Sequence, residues 1–154
     1  MAGLPSVTLQ VVNDGALSPT VNVPVLAAQP GVFAYTVGSD SFGVILHANF
    51  TLADKAHPIT GGEVVLIFCT NLGAVNPTVK DGQPGSGQEK TVASTTVTIG
   101  DAAATVSFSG LASGFVGLYQ VNAQVPKGLA AKNQPLVVSV SGASSKPVLV
   151  PVKA

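Results

Sequence analysis

The chain has 154 residues, of which 46% are hydrophobic and only 9% are charged, and its formal net charge is +0. This length is enough for one domain with a real core. All seven basic residues are lysines, so the chain lacks the bidentate arginine that recognises phosphates, and we predict no nucleic-acid partner. No segment approaches the ~20 continuous apolar residues that span a membrane, so we expect no membrane insertion.

A segment near the N-terminus of the chain recurs as a similar sequence at the C-terminus. Residues 10–25 (QVVNDGALSPTVNVPV) recur as residues 137–152 (VVSVSGASSKPVLVPV), aligned on Gly15 and Gly142. The identical positions are Val11, Gly15, Ala16, Ser18, Val21, Val23, Pro24 and Val25, which match Val138, Gly142, Ala143, Ser145, Val148, Val150, Pro151 and Val152. Both glycines lie in turn-forming contexts, where glycine adopts positive φ at little cost. Each copy is therefore predicted to be a β-hairpin in a repeating, extracellular β architecture.

Strand patterns dominate the rest of the chain, because its 17 glycines and 11 prolines interrupt any helix of ordinary length. The predicted strands are residues 6–13, 20–27, 31–37, 43–49, 63–70, 91–99, 102–109, 118–125, 136–141 and 148–152. The most apolar run, 63–70 (EVVLIFCT), is predicted in the centre of a sheet. We therefore predict an all-β fold, an immunoglobulin-like β-sandwich with an additional N-terminal β-hairpin.

Two of these segments predict more than their secondary structure. Residues 95–99 and 104–108 alternate polar and apolar positions around Gly100-Asp101, which is typical of a hairpin with one solvated face. In residues 118–125 the alternation places Tyr119, Val121, Ala123 and Val125 on the core side. A buried tyrosine needs a partner for its hydroxyl, so we expect Tyr119 to tie a loop back to the backbone.

Two loops are longer than a hairpin requires. Residues 76–90 (NPTVKDGQPGSGQEK) are polar and glycine-rich, and they are predicted to form a mobile surface loop. Residues 109–117 carry Leu111, Phe115 and Val116, which we expect to fold back onto the sandwich.

Few residue types that carry chemistry are present. Cys69 closes an apolar strand, where a cysteine is usually a small buried hydrophobe rather than a nucleophile. His47 and His57, with Asp54 between them, have the ligand types of a two-histidine, one-carboxylate metal site, but nothing in the sequence fixes their geometry. The acidic residues are scattered over turns, which argues against the paired carboxylates of a glycoside hydrolase. We therefore predict no catalytic, cofactor-binding or metal-binding residue and no enzyme activity.

Several strings after residue 29 carry a family resemblance. They are PGVF at 30–33, GGEVV at 61–65, TNLG at 70–73, SGL at 109–111, GFVGLYQVN at 114–122 and VP at 125–126. These strings resemble the uncharacterised C-terminal domain repeated across secreted proteins of Solibacter and other Acidobacteria. The resemblance covers residues 30–154 and implies an immunoglobulin-like or IPT-like module. It implies no catalytic or ligand-binding residue.

The resemblance and the duplication together predict the organisation of the chain. Residues 1–28 resemble the closing hairpin of a preceding module, and residues 29–154 are predicted to be the sandwich domain. Residues 1–5 lack the charged and apolar regions of a signal peptide, so we expect any such signal to have belonged to a longer, secreted or cell-surface precursor.

Three functions of different classes remain open at this point. The first is a non-catalytic structural or assembly module that associates with like modules through strand addition, as a homo-oligomer or fibre. The second is an extracellular carbohydrate- or protein-binding module, although an aromatic content of 5% with no tryptophan argues against a sugar-stacking platform. The third is a small metal-dependent enzyme, which rests on His47 and His57 alone.

Overall fold

The computed structural model describes residues 4–153, and every regular element in this range is a β-strand. The strands are β1 Ser6–Leu9, β2 Val12–Asn13, β3 Ala16–Leu17, β4 Val21–Pro24, β5 Gly31–Val32, β6 Ala34–Val37, β7 Asp40–Gly43, β8 Ile45–His47, β9 Ile59–Thr60, β10 Val64–Thr70, β11 Val75–Asn76, β12 Lys90–Thr91, β13 Thr95–Ile99, β14 Ala102–Leu111, β15 Tyr119–Gln124, β16 Asn133–Val140, β17 Ala143–Ser144 and β18 Val148–Lys153. The prediction of an all-β fold is confirmed. In the described range no helix is long and apolar enough to cross a membrane.

The strands form one large sheet and a separate N-terminal hairpin. In the hairpin, β1 pairs with β4 and β2 pairs with β3. The other strands form a 14-stranded sheet, here called the main sheet, whose main path runs β5-β10-β15-β14-β13-β16-β18-β7-β6. Phe33 alone separates β5 from β6 and is hydrogen-bonded on both sides, so the ends of the path meet and the sheet is almost closed. Of the predicted domains 1–28 and 29–154, residues 1–3 and 154 lie outside the described range, and the immunoglobulin-like arrangement stays a prediction.

Strand β14 connects the two halves of the main sheet. Its first residues pair with β13, whereas Thr105 to Leu111 pair with β15. A β-bulge between Val106 and Phe108 interrupts the second pairing, and bulges bend a strand. Both halves contribute to one core, whose fully buried side chains include Ile45, Ile67 and Val121 from one half and Val97, Val138 and Val150 from the other. Burial of each such side chain stabilises the fold by about 1.5–3 kcal/mol.

Most predicted elements occur where the sequence pattern placed them. The apolar strand β10 is central, since it pairs with β15, β8 and β5. β13 and β14 form the predicted hairpin, and Gly100 and Asp101 both have positive φ at its turn. The short strands β7 and β9 were not predicted, because DSFG is a turn-like sequence and two residues carry no periodicity. β16 begins before the predicted strand. The prediction missed its first residues, Asn133 to Pro135, because they lack a strand signature.

The duplicated segments have the same structure as well as similar sequences. β1 pairs with β4 as β16 pairs with β18: Leu9 lies opposite Val21 and Leu136 opposite Val148. The turn glycines agree, with φ of 80° at Gly15 and 79° at Gly142. The side-chain contact is also repeated, because the Val11 N–H donates to Ser18 Oγ over 3.0 Å and the Val138 N–H donates to Ser145 Oγ over 3.1 Å. Both predicted hairpins are therefore confirmed.

The two copies differ in what covers their apolar face. In the C-terminal copy Leu136 and Val138 are 0% exposed, because this hairpin is built into the main sheet between β13 and β7. In the N-terminal copy the equivalent Leu9 and Val11 are 54% and 66% exposed. Identical local structure has thus been placed once inside the core and once outside it.

These matched positions allow a direct test of the fold. Val138→Ala should lower the free energy of unfolding by about 2–3 kcal/mol, since it removes methyl groups from a fully buried side chain and leaves a cavity. Val11→Ala removes the same groups from an exposed side chain and should change the free energy by no more than about 0.5 kcal/mol. Urea denaturation followed by circular dichroism measures both values. Equal losses at the two positions would contradict the difference in burial.

Candidate functional site

The two histidines form a hydrogen-bonded network with two carboxylates. His47, on β8, places Nδ1 3.0 Å from Glu63 Oε2 and Nε2 3.1 Å from the His57 carbonyl oxygen. The ring of His57 in turn lies 3.1 Å from Asp54 Oδ1. Both ring nitrogens of His47 therefore have protein partners, and His47, His57 and Asp54, whose residue types suit a metal site, do not form one. Among residues 4–153 no cluster of His, Cys, Asp and Glu side chains has the geometry to hold a metal ion.

The hydrogen-bond partners of His47 explain the direction in which its pKa is shifted. Burial lowers the pKa of His47, but the His57 carbonyl and the Glu63 carboxylate outweigh that effect, and the net shift of its pKa is upward. Both partners are acceptors, so only the doubly protonated imidazolium can donate to both of them. The network thus joins the loop before β9 to β8, and the contact is charge-assisted when the imidazole is protonated.

Cys69 lies in the core, as predicted. The thiol is fully buried, and burial raises its pKa to about 12. A nucleophilic cysteine needs the opposite environment, in which the pKa is lowered and the sulfur is reachable. The position of Cys69 on β10 is therefore that of a packing residue.

Tyr119 has the predicted structural role. Its ring packs against the core, and its hydroxyl donates to the carbonyl oxygen of Gly73, in the loop that follows β10. Val121, Ala123 and Val125 lie on the same side and are buried, as the alternation predicted. The tyrosine therefore ties this loop to β15.

The prediction for the loop at residues 76–90 is only partly correct. Residues 80–84 are exposed, but Glu89 is only 6% exposed and turns back into its own loop. The Glu89 carboxylate accepts hydrogen bonds from the Ser86 hydroxyl and from the N–H groups of Ser86, Gly87 and Gln88. The Ser86 hydroxyl bond, followed by the backbone N–H bonds, lowers the pKa of Glu89 despite some opposing desolvation. The sequence signal for this folded loop is a carboxylate three residues after a serine, Glu89 after Ser86.

The prediction for residues 109–117 is wrong at two positions. Leu111 is buried at the end of β14, but Phe115 and Val116 are 59% and 60% exposed instead of folding back. The reason is local: the Gly85 N–H donates to the Phe115 carbonyl oxygen, and the Gly114 N–H donates to the Gly85 carbonyl oxygen, so the loop is held by its neighbour rather than by the core.

An aromatic groove lies beside the outer strands of the main sheet. Tyr35 on β6 and Phe42 on β7 stack with ring centroids 5.8 Å apart. Asp54, Lys55 and Asn133 also line the groove. Burial, followed by the charge of Asp54, raises the pKa of Tyr35, so its hydroxyl stays protonated at neutral pH. Aromatic rings with adjacent polar groups are a common composition for ligand sites.

The strongest candidate for an interaction surface is the N-terminal hairpin. Its apolar side, here called the hairpin face, consists of Val7, Leu9, Val11, Val21, Val23 and Val25. On the opposite side Thr8 donates a hydrogen bond to Asn22, and near the turn this side carries the exposed Val12 and Leu17. In the described range β1 and β4 pair only with each other, so the outer edge of each strand has no strand partner. The hairpin approaches the main sheet only at its base, where Leu4, Pro5 and Val25 line a groove with Leu72 and Val92.

The histidine network provides a pH-dependent prediction. Because the folded-state pKa of His47 is raised, its contribution to stability is fully present below the unfolded value of about 6.5 and is lost as the pH rises through the folded value. His47→Gln should therefore lower the thermal unfolding midpoint most at acidic pH, and the difference from wild type should narrow above about pH 6.5. Thermal unfolding from mildly acidic to mildly alkaline pH measures this trend.

The matched control for that experiment is His57→Gln. The side chain of His57 is 58% exposed, so its replacement should change the midpoint less than His47→Gln does. A difference for His47→Gln that widens as the pH rises would contradict the assigned direction.

Comparisons with known proteins do not identify a family for this chain. No family model, no curated protein and no solved structure matches the chain. The resemblance to the acidobacterial domain therefore rests on the strings quoted above and stays a prediction. The function has to be argued from the surfaces of the molecule itself.

Proposed function

We propose that this chain is a non-catalytic structural module of a secreted or cell-surface bacterial protein that assembles with like modules through strand addition at its N-terminal hairpin. One observation carries the proposal: the half of the hairpin face nearest the turn is exposed, with Val11 66% and Val21 60% accessible, although the equivalent Val138 and Val148 of the C-terminal copy are buried. We further propose an immunoglobulin-like sandwich for residues 29–154, in line with the resemblance.

Physical chemistry favours a partner for this hairpin. An isolated two-stranded hairpin is marginally stable in water, because it buries little apolar surface. Addition of a strand to the open edge of β1 or β4 would satisfy main-chain N–H and C=O groups, and the apolar core of the module that supplies the strand would cover the hairpin face. If each copy donates to the next one, the contact is heterologous and builds a fibre rather than a closed dimer.

The non-catalytic part of the proposal is supported by the groups that could have carried chemistry. Cys69 is buried with a raised pKa, and both ring nitrogens of His47 are already hydrogen-bonded. These residues serve packing and loop attachment. The secreted or cell-surface location and the bacterial origin are supported by the family resemblance alone.

Self-association is tested with a variant of the hairpin face. Wild-type protein should associate reversibly as its concentration rises, because association removes exposed apolar surface from water. The double variant Val11→Asp/Val21→Asp should stay monomeric, because association would bury unpaired charges. Size-exclusion chromatography with light scattering, combined with negative-stain microscopy, measures both. A wild-type protein that is monomeric and dispersed at every concentration would overturn self-assembly.

A second candidate function is binding of an extracellular carbohydrate, which the groove beside Tyr35 favours. Stacked aromatic rings next to the side chains of Asp54, Lys55 and Asn133 combine an apolar platform with hydrogen-bonding groups. This candidate is weaker than the first, since the groove is lined by only two aromatic rings, which stack on each other.

Pull-down with insoluble polysaccharides tests the second candidate. Tyr35→Ala should weaken the affinity for the polysaccharide about tenfold, the effect of losing roughly 1.4 kcal/mol of stacking and hydrogen bonding. Phe115→Ala is the control, because Phe115 is also exposed but lies in a different loop. Equal binding by both variants, or no binding by the wild type, would reject the candidate.

A further inference from the structure

The C-terminal copy of the duplicated hairpin shows what covers the hairpin face when it is buried. There β16 pairs antiparallel with β13 along residues 136–140, and β18 pairs in parallel with β7 at Leu149 and with β9 at Val152. The covering core comes from both halves of the main sheet, for example from Ile45 and Ile99. The C-terminal hairpin is thus the closing piece of the main sheet.

The N-terminal hairpin has the same features that allow the C-terminal hairpin to pair with the main sheet. The register is the same, and so is the bond at its base, since the Val25 N–H donates to the Pro5 carbonyl oxygen over 3.0 Å as the Val152 N–H donates to the Lys132 carbonyl oxygen over 3.0 Å. The strand pairings that β16 and β18 make with β13, β7 and β9 have no counterpart among the described residues of the N-terminal copy.

We infer that the N-terminal hairpin is the closing hairpin of another β-unit of the same kind, which must supply an antiparallel strand along residues 9–13, a parallel strand beside β4, and an apolar core for the hairpin face. The inference rests on the proposed function, because it takes the hairpin as an assembly element, and it names the partner. Consecutive units of one polypeptide would then be linked by a hairpin that belongs to the first and leads into the second.

The occupied site in this chain makes a second copy of the same chain a weaker partner than a unit whose site is open. That site is already filled by the C-terminal hairpin, which is connected to it covalently and therefore present at a high effective concentration. The N-terminal hairpin also fits it less well, because Asn13 stands where Val140 is buried, and an amide in that apolar position costs free energy. The partner is a unit whose closing position is open.

Chain order identifies where that unit lies. The C-terminal hairpin closes the unit that directly precedes it, and residues 125–132 are enough to connect β15 to β16. By the same connection, the unit that the N-terminal hairpin closes lies immediately before this hairpin in the same polypeptide. On the other side, residues 25–30 connect β4 to β5.

A tandem chain tests this arrangement. A second copy of residues 29–130 is joined in front of Leu4 of the chain, which preserves the length of the connection between β15 and the hairpin. The added copy has no closing hairpin except residues 4–25. We expect it to become protease-resistant, and we expect amide hydrogen exchange in residues 7–25 to slow about a hundredfold or more, since an isolated hairpin opens at almost no cost and a central strand does not.

Substitutions in the hairpin separate the new unit from the original one. Val11→Asp/Val21→Asp in the tandem chain should leave the added copy protease-sensitive, and the same pair in the original chain should leave the unfolding midpoint of the main sheet unchanged, because both side chains are exposed there. Asn13→Val in the tandem chain should raise the unfolding midpoint of the added copy only, because Asn13 takes the position of Val140.

The outcomes distinguish this inference from the proposed self-association. The tandem experiment is intramolecular and is carried out at dilution, so its result does not depend on contacts between chains. An added copy that remains protease-sensitive, with fast exchange in residues 7–25, overturns the inference even if the original chain self-associates. A protected hairpin in the tandem chain supports the inference even if the original chain is monomeric.

Discussion

The main sheet depends on the insertion of its last hairpin between strands from distant parts of the chain. β16 completes the pairing of β13, and β18 pairs in parallel with β7 and β9, so a C-terminal segment connects the middle of the chain to its beginning. Val138, Val150 and Leu136 bring a large share of the buried aliphatic surface with them. Burial of such side chains is the dominant favourable term in folding, and without this hairpin the core would be open on one side.

The same constraint explains why the N-terminal hairpin is expected to need a partner. A hairpin of this sequence gains most of its stability from what it packs against, since two strands alone bury too little surface. The chain therefore contains one copy that stabilises the main sheet and one copy whose equivalent surface has no such partner. The two faces differ at two positions, since Asn13 stands in place of Val140 and Val7 in place of Gln134. The duplication is best understood as one structural element used in two successive units.

Three side chains with polar groups organise loops. His47 connects the loop before β9 to β8 through the His57 carbonyl and Glu63, Tyr119 fixes the loop after β10 through Gly73, and Glu89 folds its own loop. Gly110 is required for the last of these, because a Cβ atom there would clash with the Glu89 carbonyl oxygen. These polar side chains thus form hydrogen bonds with backbone groups that pairing between short strands leaves without a partner.

The sequence by itself determined the all-β class, both hairpins with their turn glycines, the central place of β10 and the core side of β15. These features follow from local φ preferences and from a side-chain period of two, and both can be read along the chain. Only the tertiary structure decided that β14 joins the two halves of the sheet, that Phe115 and Val116 are exposed, and that Glu63 is the partner of His47. It also decided that Val138 is buried while Val11 is not. Burial depends on which distant strands lie beside a segment, and two nearly identical sequences cannot reveal that difference.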